Sequence, residues 1–165
     1  MEKRYLLFSD THGRNHGLAN ILKNRGPFDG VIFCGDGQGL ENELRTLPGC
    51  PPVIHMVSGN CDFYSDLPED AVFSLGSHRI FLTHGHKYFV SRNMDVISDY
   101  ALKNNCDICF FGHIHKPFQE IVNGVLCVNP GSLSSPRQDP AIPTWMLIEE
   151  TDGELTFSLQ YLKLK

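Results

Sequence analysis

A chain of 165 residues can bury one sizeable core, so a single domain spanning residues 1–165 is expected. Its 14 Lys and Arg against 19 Asp and Glu give a net charge of -5, which argues against a general nucleic-acid binder with an extended basic groove. No apolar run approaches the ~20 residues of a membrane span, and the apolar start Tyr5–Phe8 is too short for a secretory signal, so a soluble cytoplasmic protein without membrane association is expected.

The elements follow in order. Tyr5–Ser9 reads as a buried strand ending at Asp10. Leu18, Ile21 and Leu22 then mark one face of a helix that Gly26-Pro27 ends. Gly30–Cys34 is a second strand, stopping before Asp36, and Leu40, Leu44 and Leu47 suggest a short helix closed by Pro48. Val53–Val57 is a third strand leading to Asn60, which completes a βαβαβ pattern and predicts a parallel sheet. Ala71–Leu75 and His78–Thr83 form a hairpin around Gly76, a helix covers about Asn93–Lys103, and Asp107–Phe111 is another strand. Asn123-Gly124 is a two-residue hairpin signal between Glu120–Val122 and Val125–Val128, and Thr151-Asp152-Gly153 joins Thr144–Glu149 to Leu155–Leu162. The expectation is a parallel front half against an antiparallel back half, packed as two sheets with helices outside.

The six cysteines are Cys34, Cys50, Cys61, Cys106, Cys109 and Cys127. Without a secretory signal, and with Cys34, Cys109 and Cys127 in strand-like runs, they read as reduced and mostly buried thiols. Cys106 and Cys109 match C-x-x-C, but no second pair stands at zinc-ribbon spacing, so a core role is favoured over redox or zinc chemistry.

Five short motifs carry the chemistry: Asp10-Thr11-His12, Gly35-Asp36, Gly59-Asn60, His84 and Gly112-His113-Ile114-His115. Asp10, Asp36, Asn60 and His84 stand at or just past strand ends, and His113 and His115 follow a strand, so all can converge on one sheet rim. They offer seven nitrogen and oxygen ligands, whereas a structural zinc needs about four. Seven suit two ions sharing a carboxylate, an arrangement that attacks phosphate esters. Asp36 is the natural bridge because a carboxylate has two oxygens to share. Mixed carboxylate, amide and imidazole ligands suit Mn, Fe, Zn or Ni; two divalent ions are expected, Mn2+ first, with Zn2+, Fe2+ or Ni2+ as alternatives. Arg14 and Arg137 are candidate phosphate contacts and His86 a candidate outer group of the site. His16, His55 and His78 have no ligand-like context.

In this order, D-x-H, G-D, G-N, H and G-H-x-H resemble the calcineurin-like metallophosphoesterase superfamily, with Asn129-Pro130-Gly131-Ser132 as a further likeness. The small size and Gly59-Asn60-Cys61-Asp62 resemble its compact prokaryotic phosphodiesterase branch, to which the eukaryotic retromer scaffold subunit is distantly related. The resemblance implies an α/β fold, a four-layer α-β-β-α sandwich of two mixed sheets, and a dinuclear site. It assigns Asp10, His12, Asp36 and His115 to one ion and Asp36, Asn60, His84 and His113 to the other. Two positions depart from the pattern. Many members carry His directly after the Asn of G-N, where this chain has Cys61, and a second Asp three residues after the G-D aspartate, where it has Gly39.

The resulting expectation is a phosphodiesterase that hydrolyses small phosphodiesters by attack of a metal-bridging hydroxide, with Asp36 and Cys61 as the catalytic candidates. A phosphomonoesterase is a close alternative. A scaffold that keeps the fold and binds protein partners belongs to another class, and a single structural zinc is a third reading. A homo-oligomer leaves no mark in the sequence and stays open.

Overall fold

The computed structural model describes residues 1–163. Its first strand, Glu2–Phe8 (β1), is apolar on both faces from Tyr5 onward, where both are covered. Tyr5 and Leu7 enter the space between two sheets, while Leu6 and Phe8 pack with Leu18, Ile21 and Leu22 of the helix His16–Asn24 (α1). Gly30–Phe33 (β2) and Val53–Met56 (β3) run parallel to β1 as expected, pairing Leu7 with Ile32 and Ile32 with His55.

The helix expected over Leu40–Leu47 is instead two 3-10 turns, Leu40–Asn42 and Leu44–Thr46. Gly39, at φ 102°, and Pro48 leave too few residues between them to offset the cost of starting an α-helix. Leu40 and Leu44 still reach the core beside α1.

The second half corrects a larger expectation. Asp70–Leu75 (β4), His78–Thr83 (β5), Ile108–Phe110 (β6), Pro117–Val122 (β7) and Val125–Pro130 (β8) form a sheet ordered β4-β5-β6-β8-β7. Only the outer strands β4 and β7 pair antiparallel; β5, β6 and β8 are parallel. The helix Asp95–Lys103 (α2) makes the crossover from β5 to β6, and its face packs on Phe81, Cys109 and Cys127. Ile80, Leu82, Ile108 and Phe110 face the other way, so these strands are apolar on both sides for the same reason as β1. The hairpin of Thr144–Thr151 (β9) and Glu154–Tyr161 (β10) returns to the first sheet, giving the order β10-β9-β1-β2-β3. Asn123-Gly124 and Asp152-Gly153 all have φ between 50° and 87°, as tight two-residue hairpin turns require.

The result is the expected four-layer sandwich of α1, two mixed sheets, and α2. Its middle core includes Leu7, Ile32, Leu82, Phe110, Val128 and Ile148. All six cysteines are unpaired, with Cys34, Cys106, Cys109 and Cys127 buried. Cys109 and Cys127 are register partners on β6 and β8. Burial pushes both thiols up, Cys127 to about 11, which suits inert core packing. Among the described residues no helix is long and apolar enough to cross a membrane.

Candidate metal centre

Because β1, β2 and β3 are parallel in one sheet and β5, β6 and β8 in the other, two sets of carboxyl ends can meet at one rim. Asp10, Asp36, His84 and the segment Gly112–His115 do meet there. One ligand atom from each of Asp10, His12 and His115 lies within 4.8 Å of the others, and the same holds for Asp10, Asp36 and His84, and for His12, Asp36 and Cys61. His84 Nε2 is 3.1 Å from Asp36 Oδ2, and His115 Nε2 is 3.1 Å from Asp10 Oδ1. His12 Nε2 is 3.3 Å from His115 Nε2.

The far side of each ring is anchored. His84 Nδ1 faces the carbonyl of Cys34 at 2.7 Å, His115 Nδ1 the carbonyl of Ser135 at 2.7 Å, and His12 Nδ1 the Gln38 Oε1 at 2.9 Å. A carbonyl only accepts, so each Nδ1 donates and each neutral ring presents its Nε2 lone pair to the centre. Lone pairs and carboxylate oxygens facing one another at such distances repel unless a cation or protons lie between them. Asp10 Oδ1 and His84 Nε2 are buried and have no hydrogen-bond partner. Nitrogen and oxygen donors held in this way fit divalent cations.

Without a cation, the carboxylates and imidazoles of the cluster hold one another in their charged forms. Burial alone pushes the Asp10 carboxyl up, but His115, His12, the charge on His84 and the Ser9 hydroxyl outweigh it and hold Asp10 well below the usual carboxylate range. Burial likewise opposes ionisation of Asp36, and His84 together with the Cys61 N–H overcomes it, so this carboxyl is also lowered. His12 is raised, chiefly by Asp10; His84 is raised because Asp36 and Asp10 outweigh its burial. Burial and the neighbouring His84 lower His113, favouring its neutral, ligating form. The Cys61 thiol is raised by burial and then by Asp36, which keeps it protonated unless a bound cation reverses the local field.

The backbone is unusual at the same residues. Asp10, His12, Asp36, His113 and His115 have φ of 55°, 47°, 61°, 71° and 57°. Left-handed conformations cost non-glycine residues on the order of 1–3 kcal/mol each and persist only where surroundings enforce them. Here the Ser132 and Ser134 hydroxyls donate to the Asp10 carbonyl at 2.7 and 2.9 Å, and the His12 N–H donates to the Asp36 carbonyl at 2.9 Å. Close approach fixes two glycines. A Cβ on Gly59 would fall on the Asp36 carboxylate, and one on Gly112 would lie 2.6 Å from Asp10 Oδ2 and collide with Ser9.

The other sequence candidates fall into place around this cluster. Asn60 is exposed, and its amide donates to Cys61 Sγ at 3.7 Å. The His113 ring centre is 5.2 Å from that of His84. His86 stands 5.5 Å from His84 and 6.2 Å from His113, with a buried Nδ1 that has no partner. Arg14 and Arg137 are exposed; Arg137 contributes its backbone N–H to the His115 carbonyl. His16 is exposed, His55 stacks on Phe73, and His78 pairs with Asp107. Asn129 binds the Gly112 carbonyl and the Gly131 N–H, so Asn129–Ser132 does wrap the site. The loops Asp62–Glu69 and Lys87–Arg92 are joined by the Lys87–Glu69 ion pair at 2.7 Å.

Sequence reasoning missed Asp62, Gln38, Ser9 and Ser135. Each holds a neighbour of the site, and the adjacency of Ser9 to Asp10 and of Asp62 to Cys61 was the available signal.

Comparison with known proteins agrees with this geometry. The calcineurin-like phosphoesterase superfamily domain matches residues 4–153. The probable metallophosphoesterase YsnB of Bacillus subtilis is 34% identical over 133 residues, 80% of this chain and 76% of that protein. The crystal structure of a predicted phosphoesterase from Streptococcus pneumoniae superposes with a TM-score of 0.78 at 30% identity, covering 98% of this chain and 90% of the other. Vps29 from Entamoeba histolytica, complexed with Zn2+, superposes with a TM-score of 0.74 at 24% identity over 97% and 99% of the two chains, a likeness of fold. From its strand-end carboxylates and imidazoles to the match over most of its length, the chain belongs to the calcineurin-like phosphoesterase superfamily, a family of metal-dependent phosphoric ester hydrolases.

Proposed function

We propose that this domain is a phosphodiesterase acting on small phosphodiesters with two divalent ions, Mn2+ being the expected metal and Zn2+, Fe2+ or Ni2+ compatible. Asp10, His12, Asp36 and His115 hold one ion in this reading, and Asp36, Asn60, His84 and His113 the other. The observation that carries it is the pair of buried, unpartnered atoms Asp10 Oδ1 and His84 Nε2, beside the anchored rings of His12 and His115.

Bound divalent ions supply an activated water near neutral pH and positive charge for the phosphate oxygens. The chain's own part is to hold each Nε2 free by fixing Nδ1, and to keep Asp10 and Asp36 ionised. It also supplies the rim on which a phosphate sits. Cys61 offers only a weak S–H donor where an imidazole would protonate the leaving oxygen, so diesters with good leaving groups are the favoured substrates. Gly39 and Cys61, which leave the His-Asp pair of many relatives absent, favour a second reading: a partner-binding scaffold.

The test is to strip the protein with a chelator and assay bis(p-nitrophenyl) phosphate and p-nitrophenyl phosphate with and without Mn2+. The diester should be cleaved faster, only with metal, and Asp36→Ala should lose more than the roughly 10–100-fold typical of groups one step from a metal. Metal-independent turnover sinks the metal-dependent reading, and none in the wild type sinks the enzyme reading; a preference for the monoester makes it a phosphomonoesterase.

A further inference from the structure

Three histidines point Nε2 into the centre, but they are not held alike. His84 and His115 are fixed by backbone carbonyls, those of Cys34 and Ser135. His12 is fixed by a side chain, the Gln38 amide oxygen at 2.9 Å from Nδ1. Gln38 is itself in a left-handed conformation, φ 49°, and its N–H donates to Asp62 Oδ1 at 2.7 Å. The other oxygen, Asp62 Oδ2, accepts the N–H groups of Asp36 at 2.8 Å and Gly59 at 2.7 Å. One carboxylate thus gathers three backbone amides from two loops that carry separate ligand candidates. The Cys61 N–H, next in the chain, donates to Asp36 Oδ1 at 2.8 Å.

We infer that Asp62 and Gln38 form a positioning relay that sets which nitrogen His12 presents to the metal centre and holds the strained backbone of Asp36. This inference rests on the metal-centre reading above. A carboxylate is required at 62 because all three partners are donors. An Asn there would turn its NH2 toward at least one N–H and lose charge-assisted bonds. At 38 the requirement is an acceptor, which Gln and Glu both supply and Ala does not. The relay reaches His12 and Asp36 on one side and the Gly59-Asn60 loop on the other, so its loss loosens ligands assigned to both ions.

A purely structural role for Asp62, closing the Gly59–Asp62 turn, would change stability and leave His12 untouched. The test therefore reads the ring directly. Long-range 15N–1H correlation spectra of the metal-free protein, taken at alkaline pH where the rings are neutral, report the tautomer of each histidine. The wild type should show His12 with its proton on Nδ1. In Gln38→Ala and in Asp62→Asn that population should fall toward the solution mixture, while His84 and His115 keep theirs as internal controls. Calorimetric titration with Mn2+ should then show affinity weakened roughly 10–100-fold, the range for partners that orient metal ligands. Gln38→Glu should restore both readouts. Gln38→Ala alters an exposed side chain, so the inference stays testable if Asp62→Asn folds poorly.

An unchanged His12 tautomer in Gln38→Ala overturns the inference, as does unchanged Mn2+ affinity in both variants. A wild type that neither binds Mn2+ nor cleaves the diester would overturn the functional reading instead, and the metal-free tautomers would still decide the relay.

Discussion

Asp10 Oδ1 and His84 Nε2 lie 3.8 Å apart, both completely buried, and neither makes a hydrogen bond. Leaving such atoms unpaired costs about 1–3 kcal/mol each, more for a charged group, so their facing arrangement is informative. Asp10→Asn keeps the volume and removes the charge. We expect it to weaken Mn2+ binding by more than roughly 100-fold, beyond what loss of an orienting partner does. Calorimetric titration of the metal-free protein checks this, with circular dichroism to confirm the fold.

Gly112 tests whether the rim is as tightly built as it looks. A methyl group there would lie 2.6 Å from Asp10 Oδ2 and collide with the Ser9 hydroxyl. Gly112→Ala should therefore destabilise by about 1–3 kcal/mol, as overpacking of a well-filled site does. In a chain of this length that lowers Tm by roughly 2–4 °C per kcal/mol. Gly124→Ala is the control for crowding. Its Cβ meets nothing within 4 Å, so its cost comes only from φ 81°. A Gly112→Ala protein no less stable than Gly124→Ala would show that the rim yields.

Much of this was legible beforehand, for identifiable reasons. Asp10, Asp36 and His84 follow apolar runs, and a run covered on both faces signals a parallel strand with its carboxyl end at the rim. That logic also applied to Ile80–Leu82 and Ile108–Phe111, yet the tight turns beside them suggested antiparallel pairing. Register partners such as Cys109 and Cys127 depend on β8 inserting between β6 and β7, a pairing that local sequence does not encode. The return of β9 and β10 to the first sheet was hidden for the same reason. The part of the site that could not be read was its support: Asp62, Gln38 and Ser135 act on partners through hydrogen bonds between distant loops that leave no periodic pattern. The left-handed backbone at Asp10, His12 and Asp36 was equally silent, since only glycine announces that conformation.

Metal removal gives a prediction for stability. A ligand bound only by the folded state stabilises it by about 2.7 kcal/mol when present at 100 times its Kd. Chelator treatment should lower Tm, and Mn2+ should restore it in a concentration-dependent way. Asp36→Ala should show no such response, because its carboxylate faces both His84 and His12. A thermal melt series across Mn2+ concentrations measures this, and an Asp36→Ala protein that still gains stability from Mn2+ would place the binding elsewhere.

The last prediction concerns a histidine outside the site. His55 on β3 stacks on Phe73 of β4, ring centres 3.7 Å apart and planes within 3°, closing the seam between the two sheets. Burial lowers its pKa from the ordinary 6.5. Between that lowered value and 6.5 the unfolded chain binds more protons than the folded one, so stability rises with pH there. The contribution is therefore fully present above 6.5 and lost as pH falls through the folded value. His55→Phe keeps a flat ring against Phe73 and removes the proton. His12 and His84, whose values are raised, act with the opposite sign and above 6.5. The difference between variant and wild type isolates His55. Denaturant melts from mildly acidic to mildly alkaline pH should show His55→Phe gaining on the wild type as pH drops and a flat difference above 6.5; a difference independent of pH would mean that protonated His55 is tolerated at the seam.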